Sequence, residues 1–296
     1  MDHPRSLLEI CRLANDPEVT DQYLLSYGFG APPECGDCNK IMYKRKDKVN
    51  AFRCGKCNKT MTPNSLFLLS KTHLSKGDIL LLGYLWIHKV ETMKIVEMTL
   101  HNPNTVKLWL DRFREAVEMD LEAFGEENMI GGDDIIVEID ESKFGKRKYH
   151  RGHRVEGCWV VGGRERTEER RMFAVRVDDR SAETLLDIIV RYVRPGSIIY
   201  TDCWKGYKTD GLLEAGMLHS TVNHSLHFKD PVTGVCTNSI EGTWSAMKGV
   251  IPKRKRTEEM IEPYLFEYMW RANNKEDLWS RFILALRDYV DNVTEK

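Results

Sequence analysis

The chain has almost no charge of one sign to spare: 44 Lys and Arg stand against 45 Asp and Glu over 296 residues, a net charge of −1. A uniformly basic coat for a polyanion is thereby excluded, and any nucleic acid must be met by local clusters. Long apolar runs are missing too. No stretch approaches the roughly 20 apolar residues of a membrane span, and Met1-Asp2-His3-Pro4-Arg5 lacks the apolar core of a signal peptide; the expectation is a protein that stays inside the cell, away from membranes. No internal repeat and no low-complexity segment interrupts the sequence, so the length suits one large domain with one or two small ones. Cysteine is present, eight in all, but without the pattern of a disulfide framework. Four sit in two Cys-x-x-Cys pairs, and Cys11, Cys158, Cys203 and Cys236 are scattered through apolar context as packing residues, a usage that suits metal binding in a reducing compartment.

The local clusters exist. Lys40 to Lys59 holds eight basic residues against Asp47 alone; Lys143 to Arg154 holds six and no acid; Lys248 to Arg256 holds five and no acid.

Residues 1–30 read as an N-terminal helical segment. Leu7, Leu8, Ile10 and Leu13 form one apolar stripe, Val19, Tyr23, Leu24 and Tyr27 another, and Asn15-Asp16-Pro17 breaks the two apart. Gly28 to Pro33 is a linker. Residues 31–75 then read as a zinc ribbon: Cys35-Gly-Asp-Cys38 and Cys54-Gly-Lys-Cys57 are separated by fifteen residues, and each Gly is read as relieving the tight turn after the first sulfur. Four thiolates fill the tetrahedron of a Zn²⁺ and leave no position for a substrate, so the metal is structural.

Residues 76–130 carry three helical signals, Lys76 to Lys89, Thr92 to Leu100 and Thr105 to Leu121, with Asn104 or Thr105 as the N-cap of the last. Helix, short turn, helix is the layout of a DNA-reading helix-turn-helix. A plain three-helix packing unit gives the same pattern, and both readings stand at this level. Gly131-Gly132 marks the next boundary. Residues 131–296 follow with short apolar runs at 135–140, 158–163, 172–177 and 198–202 and a helix from Ala182 to Val193, the signature of a mixed α/β sheet domain with C-terminal helices.

Three carboxylates in this region invite chemistry. Asp140 ends Ile135-Ile-Val-Glu-Ile-Asp140, Asp202 ends Ile198-Ile-Tyr-Thr-Asp202, and Glu241 lies in Thr237-Asn-Ser-Ile-Glu241-Gly-Thr-Trp244. Acids at the ends of adjacent strands repel unless a cation lies between them, and hard divalent cations want several anionic oxygens in one place. Each acid also has a bland reading. A lone Asp at a strand end is often a turn cap or a partner for Lys, and Asn238-Ser-Ile-Glu241 has capping-box spacing, so Glu241 could answer a helix N-cap instead.

Further motifs decide between them. Glu138-Ile-Asp140-Glu-Ser followed by Lys143-Phe-Gly-Lys-Arg-Lys148, Arg151-Gly152, Glu156-Gly157 and Trp159-Val160 resembles the first catalytic block of Merlin-superfamily transposases and of their bacterial insertion-sequence relatives with an ISXO2-like catalytic domain. Asp179-Arg-Ser-Ala-Glu-Thr-Leu185, Thr201-Asp-Cys-Trp-Lys-Gly-Tyr207, Val222-Asn-His-Ser225, Phe228, Asp230-Pro231, Thr233-Gly234, Thr237 to Trp244 and Met269-Trp-Arg271 continue the likeness in order, from about Cys35 to Arg271. The resemblance implies an RNase H-like catalytic domain whose acidic triad is Asp140, Asp202 and Glu241, holding two Mg²⁺ or Mn²⁺. It implies a DNA transposase that binds the terminal inverted repeats of its element, hydrolyses a phosphodiester and joins the 3′-OH ends to target DNA, as a homodimer or larger assembly. The host compartment would be the nucleus in a eukaryote and the nucleoid-bearing cytoplasm otherwise.

Lys143, Lys146, Arg147, Lys148 and Arg151 follow the first acid, and Lys253 and Arg254 follow the Glu241 helix; all are expected DNA contacts. Lys253 to Arg256 also reads as a nuclear localisation signal. His224 and Asn238 are accessory candidates. One departure from the family's pattern stands out, Cys236 where His is common before Thr-Asn, and it keeps open a domesticated descendant that binds DNA without cutting it. A zinc-ribbon nuclease acting on RNA would leave the helical region without a purpose.

Overall fold

A computed structural model describes residues 6–30, 34–45, 51–61, 72–123, 125–145, 157–202, 206–222 and 236–292, together with Pro4 and Pro32. The chain forms two compact units, one of residues 1–120 with 276–296, the other of residues 121–275.

The first unit opens with α1 (Leu7–Asn15) and α2 (Pro17–Ser26), capped by Ser6 and Asp16; the Asn15-Asp16-Pro17 break is thus a single residue that ends one helix and starts the next. Three two-residue strands, β1 (Tyr43–Lys44), β2 (Phe52–Arg53) and β3 (Thr60–Met61), form an antiparallel sheet beside the cysteine pairs, with their own small core of Met42, Phe52 and the buried sulfurs of Cys35 and Cys54. Next come α3 (Lys76–Ile87), α4 (Thr92–Thr99) and α5 (Pro103–Ala123). Helix α3 starts on a Ser75–Asp78 capping box and is buried nearly all round, as its dense apolar sequence requires. Asn102, and not Asn104 or Thr105, caps α5: its Oδ1 accepts from the Asn104 amide at 2.9 Å and its carbonyl from Val106. Pro103 is the reason, since its fixed φ and missing N–H suit the first helical position. The last helix, α10 (Leu278–Asn292), closes this unit's core by placing Phe282 edge-on against Phe113 and beside Trp86. Trp279 Nε1 donates to Tyr23 Oη at 2.7 Å, and Arg281 pairs with Asp120 at 2.9 Å.

The second unit is built on a five-stranded mixed sheet. Its strands are β4 (Ile136–Lys143), β5 (Trp159–Glu165), β6 (Met172–Val177), β7 (Ile198–Asp202) and β8 (Leu218–Val222), in spatial order β6-β5-β4-β7-β8. The first three form an antiparallel meander, and β7 and β8 run parallel to the central β4. Helix α6 (Ala182–Tyr192) makes the crossover from β6 to β7, and α7 (Thr209–Glu214) the one from β7 to β8. After the sheet come α8 (Asn238–Val250) and α9 (Glu262–Asn273). Val137, Ile139, Val161, Phe173, Leu185, Ile189 and Ile199 join Ile240, Trp244, Met247, Leu265 and Met269 in one core. Gly131 takes φ 77, and a Cβ there would meet Ser197 Oγ at 2.3 Å, which explains a glycine at the entry to β4. No helix among the described residues is long and apolar enough to cross a membrane.

Candidate active site on the central strand

In the parallel pair, Ile136, Val137 and Glu138 stand opposite Ile198, Ile199 and Tyr200. Carried on two residues, the same register sets Asp140 beside Asp202; Asp202 ends β7, whereas β4 runs on to Lys143, so Asp140 lies within its strand and not at the end its apolar run suggests. In-register neighbours of a sheet project to the same face, so the two carboxylates share one side. Burial holds the Asp140 carboxyl above its usual range, and the charges of Asp202 and Glu241 push it the same way, while N–H groups of Trp244 and Glu141 oppose them. Two of the acids named by the sequence, Asp202 and Glu241, therefore both act electrostatically on the third, Asp140.

Helix α8 runs along the strand that carries Asp140. Ser239 and Ile240 amides meet Glu138, Trp244 Nε1 donates to Asp140 Oδ2 at 2.9 Å, and Lys248 Nζ donates to Ser142 Oγ at 2.5 Å. The match is geometric: two strand residues advance about 6.6 Å and four helical residues about 6 Å, so alternate positions 138, 140 and 142 keep step with successive helical turns. Glu241, Trp244 and Lys248 share one stripe of the helix at i, i+3 and i+7, which turns Glu241 toward this strand face. Gly162 on β5 leaves the space that Trp244 fills; a Cβ there would lie 2.5 Å from Trp244 Cη2.

The capping-box reading of Glu241 does not hold. The N-cap is Thr237, one residue earlier than that reading requires, and Glu241 falls in the fourth helical position instead of the third. The first-turn amides are taken by Glu138. Its carboxylate has no solvent exposure; Oε2 accepts from the Ser239 amide at 2.7 Å and the Ile240 amide at 3.0 Å, and Oε1 from Arg166 Nε at 2.6 Å. Arg166 in turn donates from Nη2 to the Cys236 carbonyl at 2.8 Å and thiol at 2.7 Å, and lies 5.1 Å from the Tyr200 ring. The backbone half of the Arg166–Cys236 contact does not depend on which side chain occupies position 236. Asn238, the accessory candidate, begins α8, and its buried Oδ1 takes no hydrogen bond among the described residues.

On the other face of β4, Glu141 accepts a hydrogen bond from Tyr207 Oη and pairs with Arg180 at 3.5 Å. Burial and then the charges of Asp140 and Asp202 raise the Glu141 carboxyl, so a fourth acid lies within electrostatic reach of the first two. The Tyr207 hydroxyl is raised well above its ordinary value by burial and by Glu141. Arg180 stacks 3.6 Å from the centre of the Trp159 ring, and Lys143 Nζ lies 5.5 Å from the same ring.

Sequence reasoning passed over Glu138, Glu141, Tyr207, Arg180, Arg166 and Lys248. Spacing could have found Lys248, two turns beyond Glu241, and closeness to Asp140 on one strand could have found Glu138 and Glu141; Tyr207, Arg180 and Arg166 meet the site through contacts between distant parts of the chain.

The basic clusters divide. Lys143 is exposed at the end of β4, and Lys253 and Arg254 are exposed on the 3₁₀ turn Lys253–Lys255. Arg256 turns inward: Nε and Nη2 donate to the Ile251 carbonyl at 3.0 and 2.7 Å and Nη2 also to the Lys248 carbonyl, closing the C-terminus of α8. Lys146, Arg147, Lys148, Arg151 and His224 lie outside the described residues.

Among the described residues, one set closes tightly enough to hold a metal. Sγ atoms of Cys35, Cys38, Cys54 and Cys57 all lie within 4.8 Å of one another, with Cys35–Cys57 at 3.3 Å and Cys38–Cys54 at 3.4 Å. Donor chemistry and spacing fit a four-sulfur ion such as zinc. Each knuckle repeats the same turn: Asn39 and Asn58 amides return to the Cys35 and Cys54 carbonyls, and Cys35 and Cys54 amides donate to the Lys40 and Lys59 carbonyls. The left-handed residue is the Asn after the second sulfur, Asn39 at φ 52 and Asn58 at φ 60, and not the glycine after the first. Amides of Cys57 and Lys56 lower the Cys54 thiol, while, against the Lys59 amide, the neighbouring sulfurs raise Cys57, and they raise Cys38 too, as four crowded thiols sharing few protons require. No other group of three or more Cys, His, Asp or Glu closes to that distance among the described residues. Asp140, Asp202 and Glu241 form a looser set of hard oxygen donors whose mutual repulsion a divalent cation would relieve, and in that respect they fit one.

Residues 126–273, half of the chain, match the family model described as ISXO2-like transposase domain. A Haemophilus influenzae protein named "Uncharacterized transposase-like protein" is 36% identical over 107 residues, which are 36% of this chain and 84% of that protein. The chain belongs to the ISXO2-like transposase domain family.

Proposed function

We propose that the chain is a DDE-type DNA transposase of Merlin type, with an RNase H-like catalytic unit whose acids are Asp140, Asp202 and Glu241. One observation carries the reading: the charges of Asp202, on the parallel neighbour of β4, and of Glu241, on the helix packed along it, both bear on Asp140, inside a transposase-family domain. The sheet order, a three-strand meander followed by two strands parallel to the first, supports the RNase H-like assignment. Two divalent ions, Mg²⁺ or Mn²⁺, held by the triad would supply positive charge at the scissile phosphate and at the oxygens entering and leaving it.

The chain's own groups do the positioning. Trp244 holds Asp140 in place through its indole N–H, and Glu138 anchors the helix that carries Glu241. Lys143, Lys253 and Arg254 grip flanking phosphates. In hydrolysis a water oxygen bonds to phosphorus as the 3′ oxygen leaves. In strand transfer the freed 3′-OH takes the place of water, so one site serves both displacements. The ribbon, with structural Zn²⁺ on its four cysteines, and the α4–α5 pair hold the element's terminal inverted repeats, and two copies of the chain bring two ends together.

The test is cleavage of a labelled duplex bearing the element's ends, with Mg²⁺, by wild type and by Asp140→Ala, Asp202→Ala and Glu241→Gln. Loss of cutting with retained end binding in all three is expected. Variants that cut as well as wild type refute the triad, and a wild type that binds ends tightly without cutting gives the reading to a domesticated binder.

A further inference from the structure

We propose that Glu138 is a positioning residue for the metal-holding acids: it never touches the ion, yet it sets where Glu241 stands relative to Asp140. The inference rests on the triad reading above and extends it to a carboxylate outside the triad. Glu138 sits two residues before Asp140 on the same face of β4, so the strand that delivers the first acid also delivers the anchor. The anchor grips the first turn of α8 by two backbone amides, one and two residues before Glu241. A helix N-terminus held by a carboxylate is both capped and electrostatically favoured. Here the cap comes from another element, so it fixes the register of helix against strand as well as the helix end.

The site is built for that role. Glu138 is fully buried, and α8 has no side-chain cap from its own N-cap Thr237. Arg166, in the 2.6 Å ion pair with Glu138, extends the clamp to the Cys236 carbonyl, immediately before the helix. Chain entry, first turn and catalytic strand thus meet at one carboxylate. Downstream, Trp244 to Asp140 and Lys248 to Ser142 repeat the contact at each turn, but these bonds begin beyond Glu241. Glu138 is the anchor on the near side, and it binds the two amides that directly precede Glu241.

The expected consequence is weaker metal binding with the chemistry spared. Groups that orient ligands from behind typically cost tenfold or more in metal affinity when removed. The experiment uses the full-length, zinc-loaded chain. Mn²⁺ binding is followed by the electron paramagnetic resonance of the free ion, and duplex cleavage is measured as a function of Mg²⁺ concentration, for wild type, Glu138→Gln, Arg166→Gln and Asp202→Asn. In Glu138→Gln the Mn²⁺ dissociation constant and the Mg²⁺ midpoint are expected to rise together by about tenfold, with cleavage at saturating metal recovering to near wild type. Arg166→Gln, at a partly exposed position, is expected to shift both in the same direction by less, and it carries the test if Glu138→Gln does not fold.

A folded Glu138→Gln, or failing that a folded Arg166→Gln, with unchanged Mn²⁺ affinity and unchanged Mg²⁺ midpoint overturns the proposal; so does a loss of cleavage that saturating metal does not restore. Asp202→Asn separates the two levels. If it binds Mn²⁺ as wild type does, the triad reading itself has failed.

Discussion

Trp244→Phe keeps most of an indole's bulk and deletes one N–H. That N–H is donated to Asp140 Oδ2 at 2.9 Å, in a site where burial, Asp202 and Glu241 already raise the Asp140 carboxyl. A hydrogen bond to a charged acceptor contributes about 1.5–3 kcal/mol, and its loss falls on the ionised form. The Asp140 carboxyl therefore moves further upward in the variant. The sign follows from linkage. A carboxyl raised on folding favours the native state fully below its unfolded pKa of about 3.9, and that contribution is lost as the pH climbs through the folded value. The variant loses more of it near neutrality than at acid pH. Unfolding free energies from urea titration without added divalent ion should differ little between variant and wild type near pH 4, apart from a constant packing loss, and should diverge by about 1.5–3 kcal/mol by pH 8. In the presence of Mg²⁺ the acid limb of the cleavage profile should move to higher pH. A stability difference that is flat from pH 4 to pH 8 would refute the reasoning, because it would mean that the indole N–H does not support an ionised Asp140.

Cys35→Ser or Cys57→Ser should release bound zinc, read by metal analysis, and weaken binding to the element's ends; full metal content in either variant would remove the ribbon assignment. Gly162→Ala brings a Cβ to 2.5 Å from Trp244 Cη2 and 2.9 Å from the Phe173 carbonyl, so it should cost about 1–3 kcal/mol of stability by overpacking, with a matching loss of cleavage as Trp244 is displaced; a neutral variant by urea titration counts against the packing described. Neutralising Lys253 and Arg254 together should lower the slope of log affinity against log salt by about 2, uniformly across duplex sequences. An unchanged slope would place these two side chains away from phosphate.

Much of the site was legible because it is written locally. Asp140 and Asp202 each end a short apolar run, and such runs are strands wherever turn residues bound them; all four runs noted in the second unit became strands. The edge strand β8 was not legible. Leu218-His-Ser-Thr-Val222 has apolar residues only at its ends and an exposed Leu218, so it carries little periodic signal. For Glu241 two readings stood, and a single residue decides one of them: a cap at Asn238 gives a capping box, whereas the cap at Thr237 leaves Glu241 outside one. No local rule separates these, because the deciding group, Glu138, lies about a hundred residues upstream. In the knuckles the glycines drew the turn reading, while Asn39 and Asn58 carry the left-handed backbone, a conformation that Asn tolerates better than most residues.

The return of α10 to the first unit has a consequence for synthesis. Residues 121–275 are continuous, so the sheet and its acids can be complete while the C-terminus is still on the ribosome. The helical core around Trp86 and Phe113 must wait for Phe282, nearly two hundred residues after α3 has emerged. Contacts of such separation form late, and exposed apolar surface in the interval calls for chaperones. A chain that stalls or is cut before residue 278 would thus hold a finished set of acids and an unfinished helical core. The order of manufacture makes α10 the step on which the core of the first unit depends.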